Sequence, residues 1–302
     1  MNKTKLKAWI HAARLRTLPL SVAGIIMGSS IALAEQQFNT VVFTLAMVTT
    51  LLLQILSNLA NDYGDYTHGT DNANRIGPLR AVQSGIIKPR EMKVAVILVS
   101  ALTLLTGTLL IAIAFNEMLS VQFFVFLILG LASIAAAIKY TIGKKNFGYL
   151  GFGDLMVFIF FGLVSVLGSY FLHTLRFNFW VLLPATTIGL LSSGVLNINN
   201  MRDIENDRLF NKKTIPVRLG SEKSKIYHLL LLFISALLIE VFFLFRGNNL
   251  SAITSLVPFV LLLIHGMAVA RNKDPRRLDP ELRKLSLSTL FLALWCGASL
   301  SL

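Results

Sequence analysis

The stretch Ser57-Asn58-Leu59-Ala60-Asn61-Asp62-Tyr63-Gly64-Asp65 decides how this chain is interpreted, because it ends a run of about twenty mostly apolar residues. On a helix that turns about 100° per residue, four polar side chains share roughly a quarter of the circumference: Asn58, Asn61, Asp62 and Asp65. Their oxygen atoms therefore converge, which favours a hard cation as the ligand. The alternative is a helix that simply ends in polar residues at the lipid headgroups.

A second stretch of the same kind follows residues 180–198, which form another long apolar run. It reads Asn199-Asn200-Met201-Arg202-Asp203-Ile204-Glu205-Asn206-Asp207. Asn200, Asp203 and Asp207 are spaced at i, i+3 and i+7, which places them on one face of a helix. The repetition of a polar, acidic helix end favours a ligand site over two unrelated helix ends.

The composition indicates a membrane protein. Hydrophobic residues make up 55% of the chain and charged residues 14%, and the mean hydropathy is +0.69. Ordinary soluble domains are more polar, so we predict an all-α polytopic membrane protein. Apolar runs long enough to cross a bilayer predict nine transmembrane helices. These runs lie near residues 18–34, 40–60, 93–115, 119–138, 155–172, 179–198, 226–245, 250–270 and 285–302.

The net charge of +13 would fit a nucleic-acid-binding protein, but its distribution along the chain argues against that class. Of the 28 Lys and Arg residues, only Arg176 and Arg246 fall on one side of the nine predicted spans, and all others fall on the opposite side. Cytoplasmic loops carry such an excess, which predicts a cytoplasmic N-terminus and a C-terminus outside. Both acidic motifs then face the cytoplasm and can form one site.

The N-terminal segment, residues 1–16, is basic but carries apolar residues at helical spacing. These are Leu6, Trp9, Ile10 and Ala13. This pattern predicts an amphipathic helix that lies on the inner leaflet.

Two cytoplasmic segments, 61–92 and 200–224, continue from the acidic motifs with glycine, proline and basic residues. The first segment carries Arg75 and Arg80, and the second carries Lys212 and Arg218. Carboxylates followed by cations suit a diphosphate bridged by Mg²⁺, because the acids hold the metal and the cations neutralise the remaining phosphate oxygens. The alternative is that these cations only set the membrane topology.

These motifs resemble the UbiA superfamily of intramembrane prenyltransferases, from about residue 9 to residue 300. Further matching pieces are Arg16-Thr17-Leu18-Pro19-Leu20, Tyr140-Thr141, Gly148-Tyr149, Gly151-Phe152-Gly153-Asp154, Thr214 and Arg218-Leu219-Gly220. Within the superfamily, the chain is most similar to the branch that prenylates 1,4-dihydroxy-2-naphthoate.

The resemblance implies one integral-membrane domain, residues 1–302, folded as a nine-helix bundle around a central cavity. It also implies a Mg²⁺-dependent transfer of a polyprenyl chain from polyprenyl diphosphate to 1,4-dihydroxy-2-naphthoate. Carbon dioxide and diphosphate are lost, the product is demethylmenaquinone, and the isoprenoid tail passes into membrane lipid. The expected location is the bacterial cytoplasmic (inner) membrane, with the active site facing the cytoplasm and no nucleic acid as partner.

The family's catalytic residues carry over onto both acidic motifs. The resemblance implies that Asn61, Asp62 and Asp65 act together with Asp203 and Asp207. Where the wider superfamily has a third acid four residues after Asp65, this chain has Gly69, and the next carboxylate is Asp71. The implied Mg²⁺ ligands are Asp62, Asp65, Asp71, Asp203 and Asp207.

The substrate-binding residues expected from the resemblance are mostly basic or amide side chains. They are Arg75, Arg80, Tyr140, Lys145, Asp154, Asn200, Arg202, Lys212 and Arg218. Tyr140 and Asp154 are expected to shape the acceptor site, although Asp154 has an alternative role as the N-cap of the fifth span. Lys145 is open between ligand contact and topology signal.

Three other classes of function are open. A related enzyme with another aromatic acceptor, such as 4-hydroxybenzoate or homogentisate, would share most of these residues. A secondary transporter would also carry intramembrane acids. Here the acids cluster at one face, and none lies at the centre of a span except Glu240, near the outer end of the seventh. An intramembrane CDP-alcohol phosphotransferase also uses repeated aspartates, but its tighter Asp-Gly signature is absent from this sequence.

Overall fold

The computed structural model describes residues 3–72, 76–115, 117, 120–247 and 249–300, and every regular element in these residues is helical. The principal helices are α1 Lys3–Ala13, α2 Leu18–Ala34, α3 Thr40–Thr67, α4 Pro89–Phe115, α5 Val121–Lys139, α6 Gly153–Thr174, α7 Leu182–Arg202, α8 Ser221–Phe245, α9 Asn249–Arg271 and α10 Asp279–Ser299. Short helices lie between them at Leu15–Thr17, Phe147–Leu150, Phe179–Val181, Ile204–Leu209, Ile215–Leu219 and Pro275–Leu278.

Eight helical segments of the described chain have the length and apolar character needed to cross a bilayer, with Lys3–Ala34 taken as one segment. The prediction of an all-helical, multi-pass membrane protein is thereby confirmed, whereas the count of nine spans stays a prediction. The predicted ninth span, 285–302, falls largely in α10, which is more polar than the other eight. α10 packs against α2, α7 and α9, and these neighbours bury hydroxyl side chains such as Ser288 and Thr289.

The N-terminal helix α1 is separated from α2 by a short turn. Arg14 adopts a left-handed backbone conformation with φ 49°, and a 3-10 turn at Leu15–Thr17 follows it. Ala8 and Ala12 are buried, and α1 packs against α3. Leu6 and Ile10 lie at the surface, where their side chains are exposed. The position of this helix on a membrane surface stays a prediction.

The helices that carry the acidic motifs extend beyond the apolar runs that predicted them. The run at 40–60 corresponds to α3, which begins where Asn39 caps the backbone N–H groups of Val41 and Val42. α3 then continues to Thr67, because the polar side chains of its last turns are buried by neighbouring segments instead of ending the helix in water. The motifs are therefore part of rigid helices, which fixes the direction of their side chains.

α6 and α7 approach each other very closely. A Cβ atom added to Gly162 would lie 2.6 Å from the backbone oxygen of Ala185, and one added to Gly189 would lie 2.9 Å from that of Phe158. Small residues permit such backbone contact between membrane helices. The middle of α6, Phe158–Leu167, is a π-helix, a rare conformation that is often found near functional sites.

A cavity of about 660 Å³ lies in the centre of the bundle. Its walls come from α2, α3, α4, α5, α6, α7 and α10. Most of the lining is apolar, with Ile25, Leu110, Phe126 and Phe171 among the residues. The acidic motifs lie at one end of it. The cavity therefore has a polar end, called the chamber below, and an apolar remainder.

Candidate active site

The two acidic motifs meet at the polar end of the cavity. The last turns of α3 supply part of the first motif, and the second comes from the end of α7 and the short helix Ile204–Leu209. Eight of the residues predicted from the sequence line this cavity: Asn61, Asp65, Arg80, Tyr140, Asn200, Asp203, Asp207 and Lys212. Residues 138 positions apart in the sequence, Asp65 and Asp203, thus share one chamber.

Hydrogen bonds tie the loops of the two motifs to each other. The Asn206 side-chain amide donates to the Thr70 backbone oxygen at 3.1 Å. In the opposite direction, the amide of Asn72 donates to Asn206 Oδ1, also at 3.1 Å. Because both bonds join one motif to the other, contacts within the protein hold the two halves of the site together.

Asp65 is the centre of the charge arrangement. Its Oδ2 lies 3.0 Å from Arg80 Nη2, and its Oδ1 accepts a hydrogen bond from Lys212 Nζ at 3.1 Å. Arg80 also lies 3.1 Å from Asp71 through its Nε atom. Burial alone would lower the pKa of the Arg80 guanidinium, but Asp65 and Asp71 outweigh burial and raise it. Arg80 therefore stays charged, and Arg80 and Lys212 both line the polar end of the cavity beside Asp65.

Tyr149 is a site residue that the sequence analysis named only as part of the matching piece Gly148-Tyr149, without a role in the site. Its hydroxyl donates to Asp65 Oδ1 at 3.0 Å and also bonds the hydroxyl of Thr70. The ammonium of Lys212 lies 4.6 Å from the centre of its ring, a cation–π contact. Burial raises the pKa of Tyr149, so the hydroxyl remains a donor. Tyr149 therefore holds the side chains of Asp65 and Lys212 next to each other.

Asp207 lies close to Lys212, with 3.6 Å between the carboxylate Oδ1 and the ammonium. Burial raises the pKa of Asp207 to about 6, and the nearby charges of Asp203 and Asp65 act in the same direction, against Lys212. This carboxyl group therefore holds its proton to a higher pH than an ordinary aspartate, and a bound cation would favour its ionised form.

Asp203 lines the cavity while its carboxylate is held by the neighbouring Arg202. The guanidinium lies 2.6 Å from Asp203 Oδ2 through Nη2 and 3.2 Å from Oδ1 through Nε. Arg202 itself is fully buried and is not among the cavity-lining residues. Predicted as a substrate contact, Arg202 instead lies behind the wall, where it orients Asp203.

Asp62 and Asp71 are buried but do not line the cavity. Asp62 Oδ2 accepts a hydrogen bond from the backbone N–H of Ala81 at 3.2 Å. Its other oxygen, Oδ1, is buried and has no hydrogen-bond partner among the residues that the structure describes. An unsatisfied buried carboxylate oxygen is costly, so this atom fits a cation ligand or a bound water.

The chemistry of the donors suits Mg²⁺. Carboxylate oxygens are the ligands that this ion prefers, usually with several waters retained. Asp65, Asp203 and Asp207 line one chamber, and Asp62 carries an unsatisfied oxygen nearby in sequence. Within the described residues no three acid, histidine or cysteine side chains already converge in metal-binding geometry. Arg80 and Lys212 pair with Asp65, and Arg202 pairs with Asp203. The residues fit the ion, while their roles as ligands stay predictions.

Asn61 is positioned by the segment that follows α5. The Thr141 hydroxyl lies 3.1 Å from Asn61 Oδ1 and 3.1 Å from the Ala60 backbone oxygen. This contact requires a glycine next to it, because a Cβ atom on Gly64 would lie 2.5 Å from Thr141 Oγ1. Position 64, between Asn61 and Asp65 in the motif, therefore has no space for a side chain.

Tyr140 and Asp154 occupy different places. Tyr140 lines the cavity, and burial, together with the charge of Asp154, raises its pKa, so that it stays a hydrogen-bond donor. Asp154 lies off the cavity, where its Oδ1 accepts from the Tyr227 hydroxyl at 3.3 Å. It falls in the first turn of α6, after the cap residue Phe152. The N-cap alternative for Asp154 is therefore wrong.

The remaining predicted residues lie away from the chamber or outside the described chain. Lys145 is exposed and does not line the cavity. Arg218 is also off the cavity, and its Nη2 donates to the Leu150 backbone oxygen at 2.9 Å. Arg75 lies outside the described residues. For Lys145 and Arg218 the geometry favours roles other than direct contact with a ligand in this chamber.

Several bacterial proteins are similar to this chain over most of its length. The 1,4-dihydroxy-2-naphthoate octaprenyltransferase of Haemophilus influenzae is 42% identical over 294 residues, which is 97% of this chain and 95% of that protein. The protein of the same name from Escherichia coli is 44% identical over 93% of this chain and 91% of its own length. That from Mycobacterium tuberculosis is 35% identical over 97% and 96%.

Solved structures share the fold. A UbiA homologue from Aeropyrum pernix without ligand superposes with a TM-score of 0.66 at 17% identity, and covers 96% of each chain. A UbiA homologue from Archaeoglobus fulgidus bound to GPP and Mg²⁺ gives a TM-score of 0.65 at 16% identity, over 99% of this chain and 100% of that one. Residues 21–295 match the UbiA prenyltransferase family. With an all-helical bundle, a shared fold and this match over most of its length, the chain belongs to the UbiA prenyltransferase family.

Proposed function

We propose that the protein transfers a polyprenyl chain from a polyprenyl diphosphate to 1,4-dihydroxy-2-naphthoate, in a reaction that depends on Mg²⁺. The observation that carries the proposal is the two-part cavity. Its polar end gathers Asp65, Asp203 and Asp207 with the cations Arg80 and Lys212, and the rest of its lining is mostly apolar. A polyprenyl diphosphate is divided in the same way, into a charged diphosphate headgroup and a long apolar tail.

The names of the relatives support the choice of acceptor. Proteins that are 42% and 44% identical to this chain over more than nine tenths of its length are 1,4-dihydroxy-2-naphthoate octaprenyltransferases. The alternative acceptors, 4-hydroxybenzoate and homogentisate, are weaker candidates, because identity of this extent favours a shared substrate. Octaprenyl diphosphate is accordingly the donor to test first.

The polar end is suited to neutralise a leaving diphosphate. Arg80 and Lys212 would bind phosphate oxygens, and Asp65, Asp203 and Asp207, with Asp62 behind them, would hold Mg²⁺. The ion would supply charge stabilisation to the departing diphosphate. Tyr149 keeps Lys212 beside Asp65, and Arg202 keeps Asp203 aimed at the same chamber, so the charges are in place before the substrate arrives.

The apolar part of the cavity would protect the reacting carbon. Once the allylic carbon–oxygen bond weakens, water must be excluded until the acceptor ring attacks. Attack at the carboxyl-bearing ring carbon forms the new carbon–carbon bond, and the carboxylate leaves as carbon dioxide. No electrons are exchanged with another molecule, so the immediate product is the hydroquinone form of demethylmenaquinone. Tyr140, Asn61 and Asn200 are the polar groups available to orient the acceptor.

We further propose that residues 1–302 form one domain with nine spans, in the bacterial cytoplasmic membrane. The charge distribution supports a cytoplasmic N-terminus, an outside C-terminus and a cytoplasmic active site, with α10 as the ninth span. A cysteine-accessibility map is expected to place residues 62–92, 140–153, 201–224 and 271–284 in the cytoplasm. Labelling of the two acidic loops from opposite sides would refute the single site.

The proposed activity can be tested with purified protein in detergent. Octaprenyl diphosphate and Mg²⁺ would be offered with 1,4-dihydroxy-2-naphthoate, 4-hydroxybenzoate or homogentisate in separate reactions. We expect prenylated product and carbon dioxide only with the naphthoate. Preferential prenylation of another acid would replace the proposed acceptor, and no product with any acid would reject the transferase.

Lys212→Ala is expected to weaken binding of the prenyl diphosphate by at least about tenfold, since a hydrogen bond to a charged group contributes roughly 1.5–3 kcal/mol. Lys213→Ala is the matched control, because the Lys213 side chain is exposed and its recorded contact is made by the backbone N–H to Tyr149. The KM for the prenyl diphosphate checks the difference. Equal values for both variants would mean that Lys212 only sets topology.

The Mg²⁺ requirement should rise in acid. Below the Asp207 pKa of about 6 the carboxyl group holds a proton and is a poor ligand, so from pH 7 to pH 5 the half-saturating Mg²⁺ concentration should rise roughly tenfold.

The same pKa shift predicts a pH dependence of stability. Asp207 binds its proton more tightly in the folded state than in the unfolded state, so the protein without Mg²⁺ should lose stability as pH rises from 3.8 to about 6. Activity titrations and thermal unfolding check both, and Asp207→Asn should abolish both dependences.

A further inference from the structure

A chain of charged groups leads from the active site to the start of α10. Arg202 holds Asp203 on one side, and on the other its Nη1 contacts Asp279 Oδ1 at 2.5 Å. Its Nη2 also donates to Asn199 Oδ1 at 2.9 Å. Asp279 is the first residue of α10, 76 positions from Asp203 in the sequence. One fully buried guanidinium thus joins a carboxylate just after α7 to a carboxylate at the start of α10.

Asp279 has a second contact that also leads to the cavity. Its Oδ2 lies 3.2 Å from Nη1 of Arg16, and Arg16 lines the cavity from the turn that precedes α2. Asp279 therefore holds two guanidinium groups, one behind Asp203 and one at the cavity wall. Asp279 does not line the cavity itself.

Contacts other than those of Asp279 also hold α10 in position. Glu281, two residues later, is buried and accepts from His265 at 2.7 Å and from Lys284 at 2.6 Å. His265 in turn bonds His228 at 3.0 Å, which ties α10 to α9 and α8. The Asp279 side chain is 33% exposed, so water can solvate a replacement. The charge of Asp279 can therefore be changed while the helix keeps its place.

We infer that Asp279 is a positioning residue for the cation-binding site, acting through Arg202. A guanidinium shared by two carboxylates neutralises each of them only in part. Without Asp279, the charge of Arg202 would fall on Asp203 alone, and Asp203 would be a weaker ligand for a divalent cation. The inference rests on the proposed function only in requiring that the chamber binds such a cation.

The test measures binding of Mn²⁺, without substrates, to the purified full-length protein in detergent by electron paramagnetic resonance. Asp279→Asn should bind Mn²⁺ about tenfold more weakly than wild type, the lower end of the effect expected for groups that support metal ligands. Asp279→Glu and Asp279→Gln form a second pair that differs mainly in charge, and Asp279→Glu should bind more tightly. Asp274→Asn, in the exposed turn before α10, should match wild type.

A double-variant comparison shows whether the effect passes through Asp203. In an Asp203→Asn background, Asp279→Asn should change Mn²⁺ affinity by less than twofold, because Arg202 no longer has two carboxylates to share. Wild-type affinity in Asp279→Asn, equal affinity in the Glu and Gln variants, or an undiminished loss in the Asp203→Asn background would overturn the inference. Absence of Mn²⁺ binding by the wild-type protein would instead contradict the cation site of the proposed function.

Discussion

Asn in place of Asp65 or Asp203 is expected to lower turnover by two orders of magnitude or more, which corresponds to roughly 3 kcal/mol of transition-state stabilisation. Each substitution removes one negative charge from the chamber and keeps the size of the side chain. The cations beside Asp65 keep other partners, since Arg80 contacts Asp71 and Lys212 lies near Asp207. The variants should therefore still accumulate in membranes.

The variant with both substitutions should be only slightly less active than the less active of the two single variants, because the effects of residues that act as one unit are not additive. Glu205→Gln is the control, since Glu205 belongs to the second motif but its side chain is 76% exposed and pairs with Arg208. Initial rates at saturating substrate, with Mg²⁺ varied, check all four proteins. Multiplicative losses at the two positions, or normal rates in a chelator, would contradict a shared metal site.

Gly64→Ala is expected to lower turnover about a hundredfold, because misplacement of a catalytic group by about 1 Å has an effect of this size. The added Cβ atom would lie 2.5 Å from Thr141 Oγ1 and 2.9 Å from the Thr141 backbone carbon. Relief of this clash must move the last turn of α3, which carries Asp65. Overpacking of this kind also lowers the free energy of unfolding by about 1–3 kcal/mol.

Gly266→Ala in α9 is the matched control for Gly64→Ala. Its added Cβ atom would lie 3.2 Å from the ends of two flexible leucine side chains, which can move aside. Turnover and thermal unfolding of both variants separate a displaced site from a destabilised fold. Wild-type turnover in Gly64→Ala would show that Thr141 yields without moving the motif.

The helices were predictable because long apolar runs leave few other structures for a chain in lipid. The exceptions have physical reasons. α10 is polar enough to be ambiguous as a span, because neighbouring helices cover its hydroxyl groups. The apolar pattern ends α3 at residue 60 although the helix reaches Thr67, since hydropathy does not reveal that polar side chains will be buried by other segments.

The motif residues were predictable as a group, but their individual surroundings were not. Spacing along a helix places Asp62 and Asp65 near one another, but it does not show that only Asp65 reaches the cavity wall. Arg202 was predicted as a substrate contact because it lies within a motif, and its partner Asp279 is 77 residues away. Tyr149 had no signal beyond its place in the matching piece Gly148-Tyr149, since its partner Asp65 is 84 residues away. Pairings across the fold decide these roles.

The two ion pairs that Asp65 forms with Arg80 and Lys212 have a thermodynamic consequence. If Mg²⁺ draws Asp65 away from these cations, their hydrogen bonds become available to the phosphate oxygens of the donor. Conversely, a diphosphate that recruits Arg80 and Lys212 leaves Asp65 with uncompensated negative charge, which strengthens its attraction for the metal. Linkage requires the two effects to be equal, so each ligand raises the affinity for the other by the same factor. With neither ligand present, Arg80 and Lys212 stay paired with Asp65.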